Sequence, residues 1–231
     1  MNNILICIPC YQGLCHVETM KNVIDLTHIL TENVIKYELI MLENESLISR
    51  GRNICATYLL LHQKFSHLFF IDSDIVFNPL DVLHILNLNK DIISATYPSK
   101  HLNIELLKDN IVKGITEDLL HKSTKKIGIF DPDCEEKEVK RMLFVPTGFL
   151  MIKRRVFEKL SKSKSLEYIN DVPNYNKYTN NKIAYNFFQT GVINNKLLSE
   201  DYGFSLLCRN SGFEIYCDVT IDLKHIGHFK Y

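Results

Sequence analysis

Apolar and polar positions alternate in blocks through the first hundred residues. Asn3–Ile8 (NILICI) is a short apolar run stopped by Pro9, the pattern of a buried strand. Residues 14–32 place Val17, Met20, Val23, Ile24, Ile29 and Leu30 at helical spacing. Tyr37–Leu42 (YELIML) predicts a second strand, and residues 50–63 (RGRNICATYLLLHQ) a second helix. A third strand at 67–71 runs into Asp72-Ser73-Asp74. Pro79 opens a further helix (PLDVLHIL), at the one helical position where proline is tolerated. Asp91–Tyr97 (DIISATY) is a fourth strand.

Strands alternating with helices predict an α/β fold: a Rossmann-like, mostly parallel central sheet flanked by helices on both faces. Ligands of such sheets collect at the carboxyl ends of the strands. Three polar groups fall there: Pro9–Gly13, Glu43–Ser46 and Asp72–Asp74. The second half is more irregular. Residues 100–126 are polar and ambiguous, and Lys126–Asp131 and Arg141–Val145 can pair across the charged DPDCEEKEVK turn. Gly148–Lys153 (GFLMIK) predicts a buried strand followed by a helix at 154–162. Residues 163–182 suit a long loop, Glu200–Asn210 a helix ended by Gly212, and Phe213–Val219 a last strand. The whole chain, 1–231, is expected to be one domain with a nucleotide-binding half (1–100) and an acceptor half (101–231).

Composition narrows the function classes. Lys+Arg and Asp+Glu both number 27, so no global bias toward nucleic acid or an anionic membrane is expected. No apolar run is long enough to span a bilayer, and the N-terminus has no basic region before its apolar stretch. The 7 cysteines are an odd, scattered set, which suits free thiols in a reducing, cytoplasmic setting (host cytoplasm if the source is viral). Cys7-Ile8-Pro9-Cys10 is a C-x-x-C at a strand end, where small buried residues are the plain explanation and a redox pair or half a zinc site the alternatives.

Asp72 and Asp74 are the main puzzle, because two close carboxylates repel and their burial is costly. One solution is a hard divalent ion, Mn²⁺ or Mg²⁺, which also binds a nucleotide diphosphate. A second is a phosphoaspartate enzyme, since Asp72-Ser73-Asp74-Ile75-Val76 fits the D-x-D-x-[TV] pattern of haloacid-dehalogenase-like phosphatases, with Asp72 as nucleophile. That family usually carries the motif on its first strand. A third is a solvated turn without a ligand.

The succession IPCYQG, SRGRN, HLFFIDSDIVFNP, ATYPSK, VPTGFLMIKRRVFEKL, SEDYGFSLLCRNSGFEIYCD and LKHIGH resembles the GT-A glycosyltransferases. It looks most like the small family-2-like enzymes of large DNA viruses and phages. The likeness spans most of the chain apart from 101–140 and 163–195. It implies a metal site of Asp72, Asp74 and His225, with His228 as the rival histidine. It implies a nucleotide and donor site of Pro9, Tyr11, Glu43, Asn44, Arg52, Asn53, Asp72, Ser73, Lys100, Thr147 and Gly148, with Arg50 a further anion candidate. It makes Asp201 the base that takes the acceptor proton, with Glu200 in support.

The implied activity is metal-dependent transfer of a sugar from a nucleoside diphosphate sugar, UDP favoured, to a hydroxyl of a glycan or protein, with inversion. A non-catalytic nucleotide-sugar binder is the remaining alternative. Trp is absent, so Tyr168, Tyr175 and Tyr178 are the candidate sugar platforms.

Overall fold

Strands that are apolar on both faces must be covered on both faces, and the centre of this molecule obeys that demand. A computed structural model describes residues 2–134, 138–169, 178–179, 183–193 and 195–227. Through the first hundred residues the order is β1 (Asn3–Cys10), a 3-10 turn (Tyr11–Gly13), α1 (Val17–Glu32), β2 (Lys36–Glu43), α2 (Ile48–Leu61), β3 (His67–Ile71), β4 (Ile75–Val76), α3 (Pro79–Asn87) and β5 (Ile92–Ala95). Then follow β6 (Pro98–Leu102), α4 (Ile104–Val112), α5 (Leu119–Lys122), β7 (Thr124–Lys126), β8 (Ile129–Phe130), β9 (Val139–Phe144), β10 (Phe149–Lys153) and α6 (Arg154–Leu160). The last part holds β11 (Glu167–Ile169), β12 (Ile183–Tyr185), β13 (Gly191–Ile193), β14 (Lys196–Leu198), α7 (Glu200–Asn210), β15 (Tyr216–Asp218) and β16 (Lys224–His225).

Eight strands form the central sheet in the order β2-β1-β3-β10-β5-β15-β9-β8. The pairs β1–β2, β1–β3 and β15–β5 are parallel. The expected mostly parallel sheet is therefore a mixed one. β10 lies antiparallel between β3 and β5, and β9 runs antiparallel to β15. The two sequence halves share this one sheet, since β10 sits between two strands of the first half. An apolar core lies on each face: Leu5, Phe70, Ile152, Phe157 and Phe204 on one, Ile6, Leu26, Phe69, Ile85 and Met151 on the other.

Local chemistry explains the element ends. Asn78 caps α3, its side chain accepting from Leu80 N at 3.1 Å with Pro79 at the first turn. Arg154 closes the C-terminus of α2 by donating to the Leu59, Leu60 and His62 carbonyls at 2.6, 2.8 and 3.0 Å. Two expectations change. The ambiguous 100–126 segment holds α4, α5 and the β6–β7 pair. Within the expected 163–182 loop, Glu167–Ile169 forms a strand that pairs antiparallel with Ile183–Tyr185. Tyr175 and His228 lie outside the described residues.

His67 opens β3 with its ring buried against Ser66 Oγ at 2.9 Å. Burial, assisted by the Lys153 charge, pushes its imidazole down to about 4. The unfolded chain takes up this proton near pH 6.5 and the folded chain does not, so stability is full above that pH and falls as pH drops toward 4. At 1.36 kcal/mol per unit the loss approaches about 3 kcal/mol. Urea titrations at pH 7 and pH 4.5 are expected to show His67→Leu losing much less stability across that interval than the wild type. An identical loss in both would assign the acid sensitivity to other groups.

Candidate functional site

β3 delivers Asp72 and Asp74 to the carboxyl edge of the sheet, and two strand pairings complete the site. β4 continues past the Asp-Ser-Asp turn and pairs antiparallel with β16, with His225 opposite Ile75. The Ile226 amide donates to Asp74 O at 2.8 Å. The imidazole therefore arrives beside the Asp74 carboxylate, with Nε2 3.4 Å from Oδ1. Its other nitrogen, Nδ1, bonds Pro98 O at 2.8 Å. That bond engages Nδ1 and turns Nε2 toward Asp74. β6 brings Lys100, whose ammonium donates to Asp74 Oδ2.

Burial would raise the Asp74 carboxyl, but the hydrogen bonds and charges of His225 and Lys100 outweigh it and hold the group at about 2. Asp74 thus has the Lys100 ammonium against one carboxylate oxygen and the His225 ring against the other. A carboxylate oxygen and an imidazole nitrogen are donors that would suit a divalent cation. Among the described residues there is no ready cage of three or more His, Cys, Asp or Glu side chains.

Asp72 faces another way. Its Oδ1 accepts from Arg52 Nη2 at 2.8 Å, and its amide donates to Gly148 O at 2.9 Å. Gly148 is pressed against this carboxylate: a Cβ there would lie 2.8 Å from Asp72 Oδ2 and 2.5 Å from the Tyr97 hydroxyl. Only glycine allows so close an approach. The Gly148 amide donates to Tyr97 Oη at 3.0 Å, and neighbouring Thr147 is buried. Burial, reinforced by the Asp72 charge, raises the Tyr97 phenol well above its ordinary range.

Arg52 is fully buried on α2, its guanidinium 5.1 Å from the centre of the Phe70 ring. Its Nε lies 3.6 Å from Glu200 Oε1 in the first turn of α7. Burial raises the Glu200 carboxyl; Arg52 opposes the rise, and Asp201 and Asp72 add to it. Asp201 follows, partly exposed, its Oδ1 accepting from the Ser199 hydroxyl and from Tyr202 N at 2.8 Å. Ser199 thus bonds the Asp201 carboxylate rather than capping a helix N–H with its side chain.

The remaining nucleotide candidates are spread along the same edge. Pro9 is buried at the end of β1, with Tyr11 exposed in the 3-10 turn beyond it. Glu43 ends β2, and Asn44 follows with φ +58°, its amide donating to Cys10 O at 3.1 Å. The Ser73 carbonyl accepts from His16 N at 2.9 Å, tying the Asp-Ser-Asp turn to the start of α1.

Two further candidates are engaged by neighbouring residues. Asn53 uses its Nδ2 on Asn186 Oδ1 at 3.0 Å and its Oδ1 on Phe188 N at 2.8 Å, so its amide braces the 186–188 segment. Arg50 makes a two-bond pair with buried Glu45, at 2.8 and 2.7 Å. Tyr97 joins the site without having been singled out in the sequence. The sequence places it only as the last residue of the fourth strand, before Pro98. Cys7 and Cys10 are both buried in β1, as plain strand residues.

No family model and no curated protein matches the chain. Among solved structures it is similar to A197 from STIV, with a TM-score of 0.53 at 17% identity, over 98% of this chain and 86% of that one. It is also matched, more distantly, to HddC from Yersinia pseudotuberculosis, with a TM-score of 0.31 at 12% identity, over 68% of this chain and 79% of that one. The same protein complexed with GMP-PN gives a TM-score of 0.33 at 11% identity, over 91% and 99%. The A197 likeness shows a shared α/β fold. Among the described residues no helix is long and apolar enough to cross a membrane.

Proposed function

We propose that the chain is a metal-dependent glycosyltransferase of the GT-A kind, taking a nucleoside diphosphate sugar, UDP favoured, and a hydroxyl acceptor on a glycan or protein. One observation carries this reading. Asp74, His225 and Lys100 meet at the same sheet edge as Asp72, and Arg52 links Asp72 to the Glu200–Asp201 turn. Side chains of ion-ligating chemistry thus share an edge with an acidic pair, an arrangement that transfer from a diphosphate sugar would use.

Asp74 and His225 are the residues that would hold Mn²⁺ or Mg²⁺. Such an ion, when bound, offsets the negative charge that gathers on the departing diphosphate. Lys100, already at Asp74, is placed to exchange that carboxylate for a phosphate oxygen. The Tyr11 turn and the ends of β1 and β2 form the surface for base and ribose. Asp72, fixed by Arg52 and pressed on Gly148, is suited to accept a hydrogen bond from a donor hydroxyl. Asp201 keeps one carboxylate oxygen free of hydrogen bonds among the described residues, and it is the group we assign to take the acceptor proton. A base on the acceptor side implies single displacement with inversion.

A phosphoaspartate role for Asp72 finds less support. Its Oδ1 is committed to a buried guanidinium, whereas an attacking carboxylate needs its oxygens free of such a partner.

Calorimetric titration with UDP and GDP, each with and without Mn²⁺, tests the proposal. One nucleotide is expected to bind in the micromolar range only when Mn²⁺ is present. No binding of either nucleotide under any condition would sink the reading.

A further inference from the structure

Arg52 is a charged group with almost no access to water, and its partners come from distant parts of the chain. Its side chain is 2% exposed, pairing with Asp72 at 2.8 Å and with Glu200 at 3.6 Å. Asp72 belongs to the turn after β3, on the donor side. Glu200 belongs to the first turn of α7, beside the acceptor acid. Two guanidinium nitrogens, Nε and Nη1, are buried without a hydrogen-bond partner. An unsatisfied buried N–H is costly, so a fork held this way is retained for what it connects.

We propose that Arg52 is a positioning residue that sets Glu200 and the start of α7 against the Asp72 turn, so that donor and acceptor groups are held in one register. This inference rests on the glycosyltransferase reading and adds the coupling between its two halves.

The geometry favours arginine for a specific reason. A planar fork meets two carboxylates from separate nitrogens, whereas a lysine ammonium is a single point on a flexible stem. Phe70 lies against the guanidinium and restricts its plane. The other ties of α7 lie further along the helix or on its β9 side, where the Tyr202 ring stacks on Phe144 at 4.5 Å. The Ser205 hydroxyl accepts from Val145 N at 3.1 Å, one turn further along the helix. At Gly203 the helix touches the 186–190 segment so closely that a Cβ would lie 2.0 Å from Gln189 O. A shift of α7 therefore moves Glu200 and Asp201 together.

The test uses Arg52→Lys, Glu200→Gln and the double variant, with two readouts. Hydrogen exchange at the Gly203 amide, bonded to Ser199 O at 2.8 Å, reports the first turn of α7 whether or not any sugar is transferred. Arg52→Lys is expected to speed exchange there by about tenfold, while the β3 and β10 amides stay protected as in the wild type. The second readout is turnover against nucleotide affinity. Arg52→Lys is expected to lower kcat by about 100-fold, the scale of a small misplacement of reacting groups, while the dissociation constant for UDP with Mn²⁺ changes by less than about threefold. In the Glu200→Gln background the same change is expected to cost far less, because the link is already cut.

Unchanged exchange at Gly203 in Arg52→Lys overturns the inference, and so do additive losses in the double variant. Loss of nucleotide affinity in step with turnover also overturns it, making Arg52 a donor contact only. A wild type that binds nucleotide but transfers no sugar removes the function proposed above, and the exchange arm still decides whether Arg52 holds α7.

Discussion

Asp74→Asn is expected to abolish Mn²⁺-dependent nucleotide binding while leaving the chain folded. The carboxylate is shared by Lys100 and His225, and both act on it in the same direction. Burial pushes the acid up, and the two partners pull it below its ordinary range to about 2. Asparagine keeps the shape and one acceptor oxygen but removes the charge that an ion needs. Lys100 then loses its anion, and His225 keeps only Pro98 as a firm partner. The affinity for UDP in the presence of Mn²⁺ should fall by at least about 100-fold, the size of removing a hard anionic ligand from a site with so few. The residual affinity should no longer depend on Mn²⁺. Calorimetry on both proteins measures this directly, with thermal unfolding to check that the variant is folded. Undiminished, metal-dependent binding by the variant would move the ion site away from β3.

The parts of this site that follow from short-range chemistry were legible in the sequence. Leu68–Ile71 announces a strand buried on both faces, and such a strand has to end where Asp72 begins. Pro79 sets the start of α3, and Ser199-Glu200-Asp201 sets the start of α7. The parts that depend on strand pairing were not legible. The run Phe149–Ile152 reads the same whether its strand is parallel or antiparallel, because both neighbours bury it equally. Its place between β3 and β5 was therefore hidden, and with it the contact of Gly148 with Asp72.

Arg52 and Asn53 show the same limit at the level of single residues. Side by side at a helix start, both suit an anion site. The helix turn sends one inward to Asp72 and Glu200 and the other to the 186–188 segment. No local pattern distinguishes those fates. His225 was assigned to the ion by resemblance, and its pairing with Ile75 across β4 and β16 supplies a physical reason for its position.

Asp201→Asn carries the other large expectation: turnover should fall by about 10³-fold, within the usual range for loss of a general base, with nucleotide affinity nearly intact. The structure separates the two acids of this turn by what they touch. Glu200 faces the Arg52 guanidinium at 3.6 Å with its side chain 16% exposed, which leaves it less freedom to meet an acceptor. Asp201 is partly exposed, oriented through one oxygen by Ser199 and the Tyr202 amide. Asparagine retains an oxygen for the Tyr202 amide, so the start of α7 should survive and the defect should be chemical. If Glu200→Gln proves the more damaging change and Asp201→Asn is mild, the base is Glu200, whose carboxyl burial makes a weaker acid and so a stronger base. Product stereochemistry supplies an independent check. A base on the acceptor side, with no open nucleophile on the donor side, requires the anomeric configuration to invert. Retention observed by NMR would mean that a carboxylate reaches the anomeric carbon itself, which neither Asp72 held by Arg52 nor Asp74 held by Lys100 is arranged to do.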